Sequence, residues 1–132
     1  MIHIKTEKEL EKMRVAGRLT AIARKAAADA VKPGVTTWEI DRIVHDETVR
    51  LGGIPAPLNY EGFPKSVCTS VNEQVCHGIP SPEDILCEGD IVNVDVSTIY
   101  NSYFSDSSRM FCIGAVSKEK RQLVDVAREC VE

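Results

Sequence analysis

The sequence predicts an α+β fold, an antiparallel sheet with helices packed on one face. Three observations lead there. Two stretches carry capping boxes, Thr6 with Glu9 and Thr36 with Glu39, and each opens a run of small and apolar residues at helical spacing. Between Ile91 and Phe111 the sequence I-V-N-V-D-V-S-T-I-Y-N-S-Y-F-S-D-S-S-R-M-F sets two β-rich runs on either side of a turn at Tyr100-Asn101-Ser102. A last helix follows, capped by Ser117.

The first helix continues through Leu10, Met13, Gly17 and Ala21 to about Val31, where Lys32-Pro33-Gly34 stops it. Its small residues Ala16, Gly17, Ala23 and Ala27 allow close packing against a sheet. Ile40, Ile43 and Val44 give the second helix its apolar stripe, and Gly52-Gly53 ends it. Trp38 in its first turn reads as a core or cap-packing residue. His45, alone on that helix, is assigned no role, because a lone helical histidine is more often a surface or partner-satisfied residue than a ligand.

Ile54 to Pro64 forms a long irregular connection that carries Tyr60 and Phe63. Such loops are either functional or simply stiffened by proline, and both readings stay open. Val67 to Val71 is a short strand. His77 reads as a strand or strand-end residue that faces a cleft or is satisfied by backbone, with Gly78 and Pro80 close behind. After a polar loop, Ser81 to Asp90, comes the long hairpin, and Ile113 to Val116 finish the sheet. The last helix sets Leu123, Val124, Ala127, Cys130 and Val131 on one face. No Gly, Pro or basic last turn ends it, and Glu129 and Glu132 sit at its negative pole, so it reads as cut off mid-element.

The hairpin carries the chemistry. Val92, Val94 and Val96 alternate with Asn93, Asp95 and Ser97, the mark of a strand with two unlike faces. If the chain turns between Tyr100 and Asn101, Asp95 stands opposite Asp106, with Cβ atoms about 4.5–5.5 Å apart. Two carboxylates so placed need a cation or a shared proton. They are either a carboxylate metal site or two unrelated acids on a solvated sheet face.

A chain of 132 residues with 43% hydrophobic and 27% charged residues suits one domain with a real core. A net charge of −4 gives no nucleic-acid footprint. No apolar run approaches the roughly 20 residues of a membrane span. The N-terminus is too charged for a signal peptide, and a cytoplasmic location is expected. The five cysteines, odd in number and without C-x-x-C, argue for reduced thiols rather than a disulfide framework or zinc knuckle.

Taken together, N-Y-E-G-F-P-K-S-V-C-T-S-V-N-E-Q-V-C-H-G-I-P, then E-G-D-I-V-N-V-D-V and Y-F-S-D-S-S-R-M-F, closely resemble the type I methionine aminopeptidases. The similarity starts at the E-K-M-R-V-A-G-R helix and covers essentially the whole chain. It implies one lobe of the pita-bread fold, in which two α+β halves related by a pseudo-twofold axis flank a dinuclear metal site. It implies Asp95 as ligand to one metal and Asp106 as the bridge between two, with Mn, Fe or Co as the ions. It implies His77 as the residue that contacts substrate near the scissile amide. Tyr60, Phe63 and Cys68 would line the pocket for the methionine side chain, and the substrate would be the N-terminal Met of peptides or nascent chains.

Two departures look like variation within the family: Glu61 where His is common, and Phe104-Ser105 where His-Gly is common. A third is larger. The family's other ligands, one histidine and two glutamates, lie in a C-terminal half, and neither His3 nor His45 stands in a matching motif. The expectation is therefore an N-terminal lobe, residues 1–132, that is weak or inactive alone. It would form a homodimer or pair with a complementing C-terminal half.

Overall fold

The computed structural model describes residues 2–132. Helix α1 spans Glu7–Ala30 and α2 spans Thr37–Arg50. Both capping boxes form. The Thr6 amide donates to Glu9 Oε2 at 2.7 Å and the Thr36 amide to Glu39 Oε2 at 2.8 Å. Each glutamate thereby satisfies a donor that the helix start would leave orphaned. Thr6 holds the Glu9 carboxyl down to about 2, first through its backbone and then through its side chain.

The strands are β1 (Ile54–Pro55), β2 (Cys68–Val71), β3 (Ile91–Tyr100) and β4 (Tyr103–Cys112), followed by helix α3 (Lys118–Glu129). All pairings are antiparallel. Strand β4 runs along the whole of β3, whereas β1 and β2 share its other edge, at Thr98–Ile99 and Val92–Asp95 respectively.

One face of β3 is sealed. Val92, Val94 and Val96 are fully buried with Ala23 and Ala27 of α1, Ile40 and Val44 of α2, Val67, Leu86 and Ile113. The small α1 residues let the helix lie close to the sheet, as the sequence predicts. Each buried valine stabilises by about 1.5–3 kcal/mol relative to exposure, so turning β3 over would cost far more than any polar contact could return. Asn93, Asp95 and Ser97 are therefore forced onto the opposite face, away from the helices.

Five local expectations need correction. The hairpin turns between Asn101 and Ser102, pairing Tyr100 with Tyr103, so Asp95 lies opposite Ser108 and not Asp106. Both turn residues have positive φ, 48° and 68°, the backbone of a two-residue turn whose twist matches the strands. His77 is in a loop, with φ of 55°, and not in a strand. Strand β4 ends at Cys112; Ile113 only bonds the backbone of Gly89 and Asp90, and Gly114 to Val116 lie outside the strand. Helix α3 has a basic last turn in Arg128. Trp38 is 40% exposed, more a surface residue than a core one.

Helix α3 rests on little. Lys120 Nζ donates to Asn72 Oδ1 and to the Gly89 carbonyl, both at 2.8 Å, while Leu123 and Val126 remain 62% and 48% exposed.

Candidate active site

The outer face of the hairpin forms the floor of a cleft of about 670 Å³. Asp95 and Asp106 project from that floor. Tyr60, Phe63, Cys68 and His77 stand around it, so all six residues singled out by the sequence line one cavity. The alternation on both strands explains why the two carboxylates share a face although they are diagonal rather than opposed. The corrected register differs by two residues, and a shift of two preserves the side on which a strand residue points. Diagonal neighbours lie about 7–8 Å apart at Cα, close enough for carboxylates to meet.

The acids differ in surroundings. Asp106 is exposed, and its Oδ1 accepts from Ser97 Oγ at 2.9 Å. Asp95 is half-buried, and burial pushes its carboxyl up to about 6, with the charge of Asp106 as the second cause and His77 opposing. Asp95 Oδ1 is fully buried and has no hydrogen-bond partner in the protein. A buried, unpartnered carboxylate oxygen beside a second carboxylate fits a cation ligand, because the desolvation cost is otherwise uncompensated. Hard oxygen donors of this kind suit divalent ions. The hairpin supplies only two donors. Among the described residues no group of three or more His, Cys, Asp or Glu could hold an ion.

Two tight backbone arrangements place the walls. Asn59, Glu61 and Gly62 all have positive φ, which folds the connection after β1 into a turn that carries Tyr60 and Phe63. Tyr60 is 68% exposed, Phe63 half-buried. On the other side, Gly78 presses against β2. Its carbonyl accepts from Thr69 N at 2.9 Å and its amide donates to Ser70 Oγ at 3.1 Å. A Cβ at Gly78 would collide with the Thr69 carbonyl, so only glycine lets the His77 loop lie this close. Cys68 is buried beside Asp95 in the sheet register, and burial raises its thiol to about 11, with the nearby carboxylate charges adding to it.

Sequence reasoning gave no role to the apolar residues Ala56, Pro57, Pro64, Ile79 and Phe104 of the cleft. The signal for Phe104 was present, since it precedes Asp106 by two and so shares its face.

The sequence profile of metallopeptidase family M24 matches residues 11–132. The chain belongs to that family. It is 47% identical over 132 residues to methionine aminopeptidase 1A of Arabidopsis thaliana, covering 100% of this chain and 33% of the relative. It is 49% identical to the mitochondrial methionine aminopeptidase 1D of Danio rerio, covering 98% of this chain and 38% of that protein. The crystal structure of methionine aminopeptidase from Rickettsia prowazekii superposes with a TM-score of 0.94 at 46% identity, over 98% of this chain and 52% of that one. This M24 chain thus has the fold of one lobe of the pita-bread enzymes. It spans from about a third to about half the length of the relatives it matches. Among the described residues no helix is long and apolar enough to cross a membrane.

Proposed function

We propose that residues 1–132 are the N-terminal lobe of a methionine aminopeptidase, which removes the N-terminal methionine of nascent proteins and peptides once a C-terminal lobe completes the cleft. One observation carries this reading. Two carboxylates on a rigid hairpin, a histidine on a pinned loop and a wall of aromatic and thiol groups converge in a single cavity.

Asp95 would hold one divalent ion and Asp106 would bridge two. Bound ions, Mn, Fe or Co and two per complete site, supply Lewis acidity and a nucleophilic water near neutral pH. The protein's part is positioning. Ser97 occupies one oxygen of Asp106 and so aims the carboxylate. His77, on the rim, would donate to the charge that develops at the scissile amide. Tyr60, Phe63 and Cys68 would enclose the methionine side chain, whose flexible thioether packs well against aromatic and sulfur surfaces.

A second reading has its own support. The exposed apolar stripe of α3 favours a lobe that is inactive alone and that self-associates or pairs with a C-terminal half.

The deciding experiment measures methionine release from a Met-Ala-Ser peptide with added Mn or Co. It compares the chain alone with the chain joined to the C-terminal half of a relative. Activity is expected in the joined protein and should disappear in Asp106→Asn and His77→Ala. A joined protein that folds and binds metal yet leaves the peptide intact would overturn the proposal.

A further inference from the structure

Helix α2 reaches the cleft although none of its residues lines it. Ser66 lies midway between Phe63 and Cys68, the two wall residues, and is 2% exposed. Its amide and its hydroxyl are both taken by one face of α2. Its amide donates to Asp41 Oδ1 at 2.7 Å, and its hydroxyl meets His45 Nδ1 at 2.8 Å. Asp41 and His45 are four residues apart, one helical turn, so the two side chains form a fork of fixed spacing. Asp41 is itself 5% exposed, a buried acid whose named partner is the Ser66 backbone. A buried carboxylate accepting a backbone N–H makes a strong, charge-assisted bond. It therefore fixes where the chain passes between the two wall residues.

We propose that Asp41 and His45 are positioning residues. By clamping Ser66 they set the spacing of Phe63 and Cys68, and with it the width of the pocket that takes the substrate side chain. This rests on the reading of Tyr60, Phe63 and Cys68 as the pocket wall. The assignment gives His45 a role that its position on a helix did not suggest. It also gives this buried acid a hydrogen-bond partner.

The test uses the chain itself and reads the wall directly. Cys68 is buried, so its alkylation by N-ethylmaleimide reports how often the wall opens. Removing one part-buried hydrogen bond in His45→Leu should raise the Cys68 rate roughly five- to tenfold. His45→Asn, whose amide falls where Nδ1 sat, should restore the parent rate. Asp41→Asn keeps an acceptor but loses the charge and should fall between. The melting temperature should fall by a few degrees in His45→Leu and return in His45→Asn, while the alkylation rate of exposed Cys76 should stay near the parent's in both. An unchanged Cys68 rate in His45→Leu, or a rise that His45→Asn does not reverse, would overturn the clamp. Binding of L-methioninamide is followed separately by calorimetry in the chain joined to the C-terminal half of a relative. If the Cys68 response is as expected and the amide does not bind, the clamp stands and the pocket reading fails.

Discussion

Ser97 stands directly opposite Asp106 across the hairpin, and its hydroxyl donates to the Asp106 carboxylate at 2.9 Å. The bond engages Oδ1 of a carboxylate that lines the cleft. Groups that orient a ligand in this way commonly matter about 10–100-fold in metal affinity. Ser97→Ala should therefore weaken Mn binding about tenfold while changing stability by no more than about 0.5 kcal/mol, since the bond is exposed. Calorimetric titration of the two proteins checks it. Equal affinities would mean that Asp106 needs no orienting partner.

Asp95 links stability to pH. Its carboxyl sits at about 6 in the folded chain against an ordinary 3.8, so the folded state holds the proton more tightly. The ionised form then costs stability. The penalty is absent below about 4, grows as pH rises towards 6 and is full above it. Without metal, Asp95→Asn should be more stable than the parent by about 1–2 kcal/mol at pH 7, discounted for partial solvent access. The two should converge at pH 4. Urea unfolding at both pH values, in the presence of a chelator, is the measurement. An asparagine variant less stable at pH 7 would show that the pair is already compensated within the protein.

Gly78 sets the height of the His77 loop above β2. In Gly78→Ala the new methyl meets the Thr69 carbonyl, and backbone cannot yield as a flexible side chain can. Strain of this kind costs about 1–3 kcal/mol, and the loop should lift from β2 to relieve it. The Gly78 amide, bonded to Ser70 Oγ, should lose its protection against hydrogen exchange. Retained protection, with an unchanged melting temperature, would show that the loop accommodates the methyl.

What the sequence disclosed follows the range of the interactions involved. The helix starts were legible because a capping box is complete within four residues, as at Thr6 and Glu9. The sidedness of the hairpin was legible because Val92, Val94 and Val96 repeat with the pleat. Its register was not, because the turn is decided by the positive φ of both Asn101 and Ser102, and Ser102 gives no sign of that conformation. The shared face of Asp95 and Asp106 survived the error only because it depends on parity. His77 was misplaced for a different reason. Its loop is shaped by Gly78 lying on Thr69, a contact between segments that neither predicts alone. Asp41 and His45 went unread for the same cause, since their partner Ser66 lies 25 and 21 residues away. Of the six cleft residues, the two aspartates carried a signal of their own, Tyr60, Phe63 and His77 were left between a functional and a bland reading, and Cys68 was named from the resemblance alone.

The last prediction concerns association. Leu123, Val126 and Val131 are 62%, 48% and 88% exposed on and just after α3, a stripe too apolar to be an ordinary solvent face. The outer edge of β4 carries ten residues of strand that no other strand covers among the described residues. Such an edge invites pairing. Twofold association would cover both features, because one patch then serves two copies. Light scattering should give a mass near twice 14.6 kDa at high concentration. Leu123→Glu with Val126→Lys should return the chain to a monomer. Its melting temperature should rise or hold in dilute solution, because neither residue contributes to the core around Val94. A chain that is monodisperse and monomeric at high concentration, with the stripe intact, would refute self-association and leave a complementing C-terminal half as the partner for this surface.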